Sequence, residues 1–128
     1  MNTFKLYCEE KESKPEVKRT YYPNGQPRSE GWFLNGNHHR TDGPAYQRWY
    51  ENGQLCSENW FLNGNHHRTD GPAYQRWYEN GQLEYEEWYL DGKEYTKENY
   101  WKKMFEMVKQ GEIKKTVNIE VNGLTSLI

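Results

Sequence analysis

The strongest constraint on the fold of this chain is an internal duplication. The 24 residues from Trp32 to Leu55 recur unchanged from Trp60 to Leu83, which sets a repeat of 28 residues. A period of this size indicates a repeat architecture, in which each unit buries its apolar face by stacking on its neighbours. We therefore expect a row of stacked supersecondary units in place of one closed core.

Turn dipeptides divide each repeat into strands. Asn-Gly or Asp-Gly pairs occur at alternating intervals of 11 and 17 residues and begin at Asn24, Asn35, Asn52, Asn63, Asn80 and Asp91. Because these dipeptides tolerate the positive φ angles of type I′ hairpin turns, the spacing predicts an antiparallel meander of hairpins with type I′ turns. The longer interval contains Asp42-Gly43-Pro44, where a proline without an N–H predicts a bulge or a second turn.

The composition indicates a thin, aromatic core. Only 34% of the residues are apolar and the mean hydropathy is −1.30, but the chain has six Trp, eleven Tyr and four Phe. Each ring can bury ~150–250 Å², and a disordered chain of this polarity would lack such rings. Residues two positions apart share one face of a strand. We therefore predict a core formed by Trp32, Trp60, Trp88, Leu34, Leu62 and Leu90.

The repeats do not extend to the chain ends. We divide a single domain, 1–128, into an N-terminal strand and loop (1–16), hairpin repeats (17–95), a helix (96–111) and a C-terminal strand and tail (112–128). The predicted fold class is mainly β: an antiparallel β-hairpin meander with a C-terminal α-helix and a terminal strand. The last strand is a candidate partner for residues Phe4 to Cys8.

The predicted helix is amphipathic. Thr96 is its expected N-cap, and its apolar stripe consists of Tyr100, Met104, Val108, Trp101 and Phe105. The stripe either covers the open end of the ribbon or offers a face to a partner. We favour capping, because the terminal units of repeat proteins need a cap with a polar outer face.

Charge and hydropathy exclude several kinds of partner. The formal net charge is −2 with both signs interspersed, so we expect no general nucleic-acid binding and no membrane binding. The sequence has no apolar run near the ~18 residues needed to span a bilayer, and its N-terminus lacks the apolar centre of a signal peptide. We expect a cytoplasmic protein in which Cys8 and Cys56 are free thiols.

The sharpest candidate for chemistry is the hexapeptide Asn-His-His-Arg-Thr-Asp, present at 37–42 and 65–70. Two His and one Asp suggest a metal, but adjacent strand residues face opposite sides, and equivalent residues in successive repeats lie roughly 10 Å apart. We therefore predict no metal and no cofactor. Instead we expect each Arg to pair with the nearby Asp or with turn carbonyls, and one His of each pair to bond the neighbouring hairpin.

Candidate contacts for a partner or ligand follow from the same motif and from the ring-rich strands. They are His38, His39, Arg40, Asp42, His66, His67, Arg68, Asp70, Trp49 and Trp77. The sequence contains no nucleophile elbow, phosphate-binding loop, dinucleotide fingerprint or zinc-protease motif. We therefore predict no catalytic residues and a function other than catalysis.

The repeat itself resembles a known family. The segments Tyr21 to Gln26, Trp49 to Gln54 and Trp77 to Gln82 pass from an aromatic-tyrosine pair through Asn-Gly to Gln, and then to Glu, an aromatic, Leu and a second turn pair. This pattern resembles the variant form of the MORN repeat, which occurs in bacterial antitoxin-type proteins and in repeat proteins of phages and large DNA viruses. The segment from His39 to Ala45 is similar to an insertion in the viral and phage versions. The resemblance implies an extended β-hairpin ribbon used for protein contacts.

Three functional hypotheses follow. The first is a non-enzymatic protein-protein interaction module, an inhibitor or antitoxin-like protein that masks one cytosolic partner. The second is a phage or viral counter-defence inhibitor of a host immune complex, acting in the host cytoplasm. The third is a nucleotide or small-ligand sponge, in which Arg40 and Arg68 hold a phosphate together with backbone groups at Gly43 and Gly71.

Overall fold

The computed structural model describes residues 14–111, together with the backbone of residues 118–121 and 124–127. The strands are β1 (Glu16–Tyr21), β2 (Pro27–Leu34), β3 (Asn37–His38), β4 (Tyr46–Trp49), β5 (Leu55–Asn59), β6 (Phe61–Leu62), β7 (Asn65–His66), β8 (Tyr74–Trp77), β9 (Leu83–Leu90) and β10 (Lys93–Tyr95). Helix α1 (Lys97–Lys109) follows, and then β11 (Asn118–Val121) and β12 (Leu124–Leu127). Of the residues described between 14 and 111, 45% are in strands and 13% in the helix, so the fold is mainly β.

The predicted antiparallel meander is confirmed. The main sheet has the order β1-β2-β4-β5-β8-β9-β10, and each neighbouring pair in it is antiparallel. After pairing in this sheet, the chain of each repeat continues into a short hairpin that carries the second turn of the repeat. We call these the tip hairpins; they span residues 33–38, 61–66 and 89–94.

The six turn dipeptides adopt two geometries, so the prediction of six type I′ turns is wrong for half of them. In the tip hairpins the first turn residue has positive φ, 51° at Asn35 for example, as type I′ requires. At Asn24, Asn52 and Asn80 only the following glycine has positive φ. There the loop is one residue longer, a type I turn closed by a glycine bulge, and the strand register slips beside it, as between Thr20 and Tyr21.

Successive repeats are joined through their tip hairpins. The Gly64 N–H donates to the His38 carbonyl at 2.9 Å, and one repeat later the Gly92 N–H donates to the His66 carbonyl at 2.8 Å. The second and third tip turns are therefore each held by the repeat before them. This contact is the stacking that a 28-residue period predicts.

The core is smaller than predicted. Trp88 and Leu90 are buried, and they pack with Tyr100 and Met104 of α1. The other four predicted core residues are only half-buried, so the prediction is wrong for Trp32, Trp60, Leu34 and Leu62. The physical reason is that α1 covers the last repeat alone. Ala45 and Ala73 are fully buried instead, where the strands approach closely enough for backbone bonds such as that from the Trp32 N–H to the Ala45 carbonyl, 2.7 Å.

Helix α1 confirms the predicted amphipathic pattern. Thr96 is the N-cap and its Oγ1 accepts from the Asn99 N–H at 3.1 Å. The buried residues of the helix are Tyr100, Met104 and Val108. Within the described ranges, no helix is long and apolar enough to cross a membrane.

The chain ends differ from prediction where they are described. Strand β11 pairs with β12, so the predicted single C-terminal strand is a hairpin. Glu16, assigned to the N-terminal loop, already belongs to β1. The proposed partner strand, Phe4 to Cys8, lies outside the described residues, whereas Cys56 is a free, buried thiol as predicted.

Candidate functional site

Each copy of the hexapeptide leads into a loop, and the arginine of that copy closes the loop. Arg40 Nε donates to Asp42 Oδ1 at 2.8 Å, and a guanidinium N–H donates to the Pro44 carbonyl at 3.4 Å. The guanidinium also covers Gly43, where a Cβ would lie 2.9 Å from the Arg40 Cζ atom. A side chain at this position would require the guanidinium of Arg40 to shift. We call residues 40–44 and their copy, 68–72, the arginine loops.

The arginines also stack on tryptophan rings. Arg40 lies over Trp32 and Arg68 lies over Trp60, each with its Cζ atom 4.0 Å from the ring centroid. Arg68 Nε donates to Asp70 Oδ1 at 2.8 Å, so the second loop repeats the first. The predicted pairing of each Arg with its Asp and a turn carbonyl is confirmed. Both guanidiniums are therefore already occupied by an anion and an aromatic face.

His39 and His67 bond the neighbouring tip hairpins, as predicted. Asn63 donates its N–H to His39 Nδ1 at 3.0 Å, and Asp91 donates its N–H to His67 Nδ1 at 2.9 Å. The Asp91 carboxylate also lies 3.3 Å from His67 Nδ1. Because Nδ1 accepts the Asp91 N–H, the nearby carboxylate, which is itself an acceptor, does not hydrogen-bond to the same nitrogen.

His38 and His66 lie in a row of aromatic rings on the other side of the strands. His66 is stacked between Phe61 and Tyr89, with ring centroids 4.3 and 4.6 Å away. His38 makes an edge contact with Phe33 at 4.4 Å. Burial lowers the pKa of both histidines, which favours neutral imidazoles.

The two histidines of each pair thus point to different surroundings, one to a tip turn and one to the ring row. Among residues 14–111, no group of three or more His, Cys, Asp or Glu side chains is arranged to hold a metal ion. The predicted contacts therefore do not form one coordination site.

Successive arginine loops flank a groove of about 330 Å³. Arg40 and Thr41 form one wall, residues 67–70 form the other, and Trp60 and Leu62 form the floor. The sequence prediction assigned Trp60 and Leu62 to the core and so missed them as site residues. The exact duplication is the signal that could have found them, because a groove between equivalent loops must be floored by the strand that lies between them.

Helix α1 fills the equivalent place one repeat later. The Tyr100 ring packs on Trp88, with centroids 4.9 Å apart, in the same cluster as Leu90. The Tyr100 hydroxyl donates to the Arg68 carbonyl and accepts from the Gly71 N–H at 3.4 Å. This burial raises the pKa of Tyr100, so the hydroxyl keeps its proton.

The groove offers the same groups without an occupant from the described part of the chain. Trp60, Arg40 and Gly43 stand 28 positions before Trp88, Arg68 and Gly71. Among the described residues, the buried Nε1 of Trp60 has no hydrogen-bond partner. An unpaired N–H donor beside the groove suits a ligand oxygen such as a hydroxyl.

Trp49 and Trp77 lie apart from the groove. Their carbonyls accept hydrogen bonds from the hydroxyls of Tyr22 and Tyr50, each at 2.7 Å. Trp49 also lines a separate depression of about 300 Å³ beside β1. The structure therefore distributes the predicted contact residues over the groove, the ring row and this depression.

Comparison with known proteins identifies the repeat. The family model of the MORN repeat variant matches residues 17–37, 45–63 and 73–91, whose starts are 28 residues apart. The arginine loops fall in the intervals that this model does not cover. No curated protein and no solved structure matches the chain. The chain therefore carries three copies of the MORN repeat variant, arranged as a hairpin meander.

Proposed function

We propose that the protein is a binding module for another protein, and that the groove floored by Trp60 takes a hydroxyl-bearing aromatic side chain from an amphipathic helix of the partner. MORN repeats generally mediate protein or membrane interactions, and the family is generally non-enzymatic. Recognition of an apolar helix face in a groove is a common mode of peptide binding.

The observation that carries this proposal is the docking of α1. The chain places Tyr100 against Trp88 and against two backbone groups of an arginine loop. Trp60, Arg40 and Gly43 hold the positions of Trp88, Arg68 and Gly71 one repeat earlier, so the groove has the chemistry to take the same kind of side chain. One difference is that Arg68 stacks on Trp60, whereas the matching position beside Trp88 is Thr96. Arg68 over Trp60 narrows the groove, so it takes a single ring more readily than a whole helix.

The same contacts disfavour the ligand-sponge hypothesis. A phosphate at Arg40 or Arg68 would have to displace the aspartate that each guanidinium already binds at 2.8 Å. It would also compete with the stacked tryptophan. A net charge of −2 gives no general attraction for phosphate or for an anionic membrane.

Within this function, we favour an antitoxin-like inhibitor that masks one protein in the cytoplasm. The alternative form is a phage or viral inhibitor of a host immune complex. The two differ in gene context, because an adjacent toxin-like reading frame supports the first and a phage counter-defence neighbourhood supports the second.

The groove can be tested without knowing the natural partner, because α1 itself is a model ligand. A labelled synthetic peptide of residues 96–111 is titrated with the full chain, and the Kd is measured by fluorescence polarisation. We expect binding that Leu62→Asp weakens more than tenfold, since a carboxylate on the groove floor opposes an aromatic ring. Leu34→Asp, the same substitution one repeat earlier, is the matched control and should change the Kd less than twofold.

A second peptide measures the contribution of the Tyr100 hydroxyl to binding. A peptide with Tyr100→Phe should bind about fivefold more weakly, because one hydrogen bond contributes about 1 kcal/mol. Each protein variant is checked for an unchanged melting transition. Absence of binding, or equal loss of affinity in Leu62→Asp and Leu34→Asp, would overturn the proposal.

A further inference from the structure

The main sheet has an unpaired edge at each end of the described chain. Among the described strands, β1 pairs only with β2, and residues 83–87 of β9 pair only with β8. Helix α1 packs on β9 further along, at Trp88 and Leu90. Both edges therefore offer backbone N–H and C=O groups to another strand.

The two edges carry opposite charges. Strand β9 has Glu84, Glu86 and Glu87. Strand β1 begins with Glu16 and then has Lys18 and Arg19, and Arg19 also donates to Glu30 of β2 at 2.8 Å. Pairing β9 with another β9, or β1 with another β1, would place like charges opposite each other and is destabilising. Pairing β9 of one copy with β1 of a second copy places opposite charges together.

The repeat fixes the register of such a pair. Where β5 pairs with β8, Glu58 lies opposite Gln75 and Asn59 lies opposite Tyr74. In the next repeat, the positions of Glu58 and Asn59 are those of Glu86 and Glu87.

Strand β1 supplies the opposite side of that register. Arg19 and Lys18 stand two repeats before Gln75 and Tyr74. A second copy continuing the sheet therefore sets Arg19 opposite Glu86 and Lys18 opposite Glu87, with an acidic group matched to a basic group at both positions.

A row of tyrosine hydroxyls supports the same continuation. Tyr22 and Tyr50 each donate to a main-chain carbonyl of the following repeat at 2.7 Å. Tyr78, the next in this row, has no following repeat and is 49% exposed. In a second copy, the carbonyl at the matching position belongs to Tyr21, which is 57% exposed.

We propose that the chain associates head to tail with a second copy of itself, through antiparallel pairing of β9 of one copy with β1 of the next. The interface is heterologous, because each copy uses a different edge, so association continues into a row of copies. It is separate from the groove over Trp60. The inference therefore goes beyond the proposed binding function and can fail without it.

The test is sedimentation velocity of the full chain over a hundredfold range of concentration, at low and high salt. We expect concentration-dependent association that weakens at high salt, because the paired charges lie at a solvent-exposed edge. Glu87→Lys and Lys18→Glu should each weaken association more than tenfold. Glu106→Lys and Lys102→Glu, which change the same charges on the exposed face of α1, are the controls.

Mixing the two edge variants gives the decisive result. In Glu87→Lys the substituted position faces Lys18 of the next copy, and in Lys18→Glu it faces Glu87, so each variant alone sets like charges opposite each other at this position. A mixture restores opposite charges there and should associate where neither variant does alone. The Leu62→Asp variant should associate like the original chain. The inference would be overturned if the chain stayed monomeric at every concentration, or if both edge variants associated as strongly as the original chain. Unchanged melting transitions exclude misfolding as the cause of a loss.

Discussion

At the scale of single residues, one difference between two repeats changes how a ring row packs. Asn59 Oδ1 lies 3.0 Å from His66 Nε2, but the equivalent residue in the first repeat is Gly31. His38 there leaves its buried Nδ1 without a partner in the described chain. Phe33 leans over Gly31, and a Cβ on Gly31 would lie 2.9 Å from its ring. The Phe33 and His38 planes therefore meet at 83°, whereas the Phe61 and His66 planes meet at 26°.

Gly31→Asn should make the first repeat resemble the second. The substitution removes a strand glycine, supplies a partner for Nε2 of His38 as Asn59 does for Nε2 of His66, and requires Phe33 to take the orientation of Phe61. We expect the free energy of unfolding to rise by about 1 kcal/mol, from the strand glycine and the new hydrogen bond together. Urea denaturation measures it. A lower stability would mean that Phe33 cannot turn.

The ring row also makes stability depend on pH. Burial lowers the pKa of His38 and His66 below the ordinary value of 6.5, so the unfolded chain binds protons that the folded chain does not. Stability is therefore complete above this ordinary pKa and falls as the pH drops from it towards the folded pKa values. Urea denaturation between pH 7.5 and 5.5 should show this loss. In a His38→Phe, His66→Phe double variant the loss should be smaller, and an equal loss would assign the pH dependence to other groups.

At the scale of secondary-structure elements, the sequence predicted the meander and α1 correctly because both depend on local patterns. Turn dipeptides mark hairpins, and the spacing of Tyr100, Met104 and Val108 marks a helix face. The geometry of the turns at Asn24, Asn52 and Asn80 was not predictable from the dipeptide. It depends on how many residues the two flanking strands leave for the loop.

The core and the groove were harder to predict for a different reason. Trp32, Trp60 and Trp88 occupy equivalent strand positions, so the sequence assigned them one role. Their burial differs because α1 covers only Trp88. This packing of a helix on a strand is not visible in the strand pattern itself. The predicted pairing of Arg40 with Asp42 succeeded because the two residues are neighbours in the chain.

Helix α1 has its own test as a cap. Deleting residues 96–128 removes Tyr100 and Met104 from Trp88 and Leu90 and leaves this cluster exposed. We expect the shortened chain to aggregate, since exposed aromatic surface beside an open strand edge favours association. Light scattering follows the aggregation. A monomer with a native-like melting transition would show that α1 is not required as a cap.

At the scale of the whole molecule, equivalent positions in successive repeats have different surroundings, because α1 packs beside Trp88 and the groove lies over Trp60. Tyr100 of α1 bonds the arginine loop beside Trp88, whereas the buried Nε1 of Trp60 has no hydrogen-bond partner within the described residues. The open edges of the sheet lie on a separate surface, so partner binding and self-association can be measured independently.

The most direct measurement of the groove is the indole N–H signal of Trp60 in a ¹H–¹⁵N spectrum of the full chain, titrated with the peptide of residues 96–111. The chain has six Trp, so single substitutions assign the signals. We predict that the Trp60 signal shifts on binding and that the Trp88 signal stays, because Nε1 of Trp60 is buried and unpaired while the site over Trp88 is filled by α1. A bound peptide that leaves the Trp60 signal in place, or moves that of Trp88 instead, would contradict the assignment of this groove as the binding site.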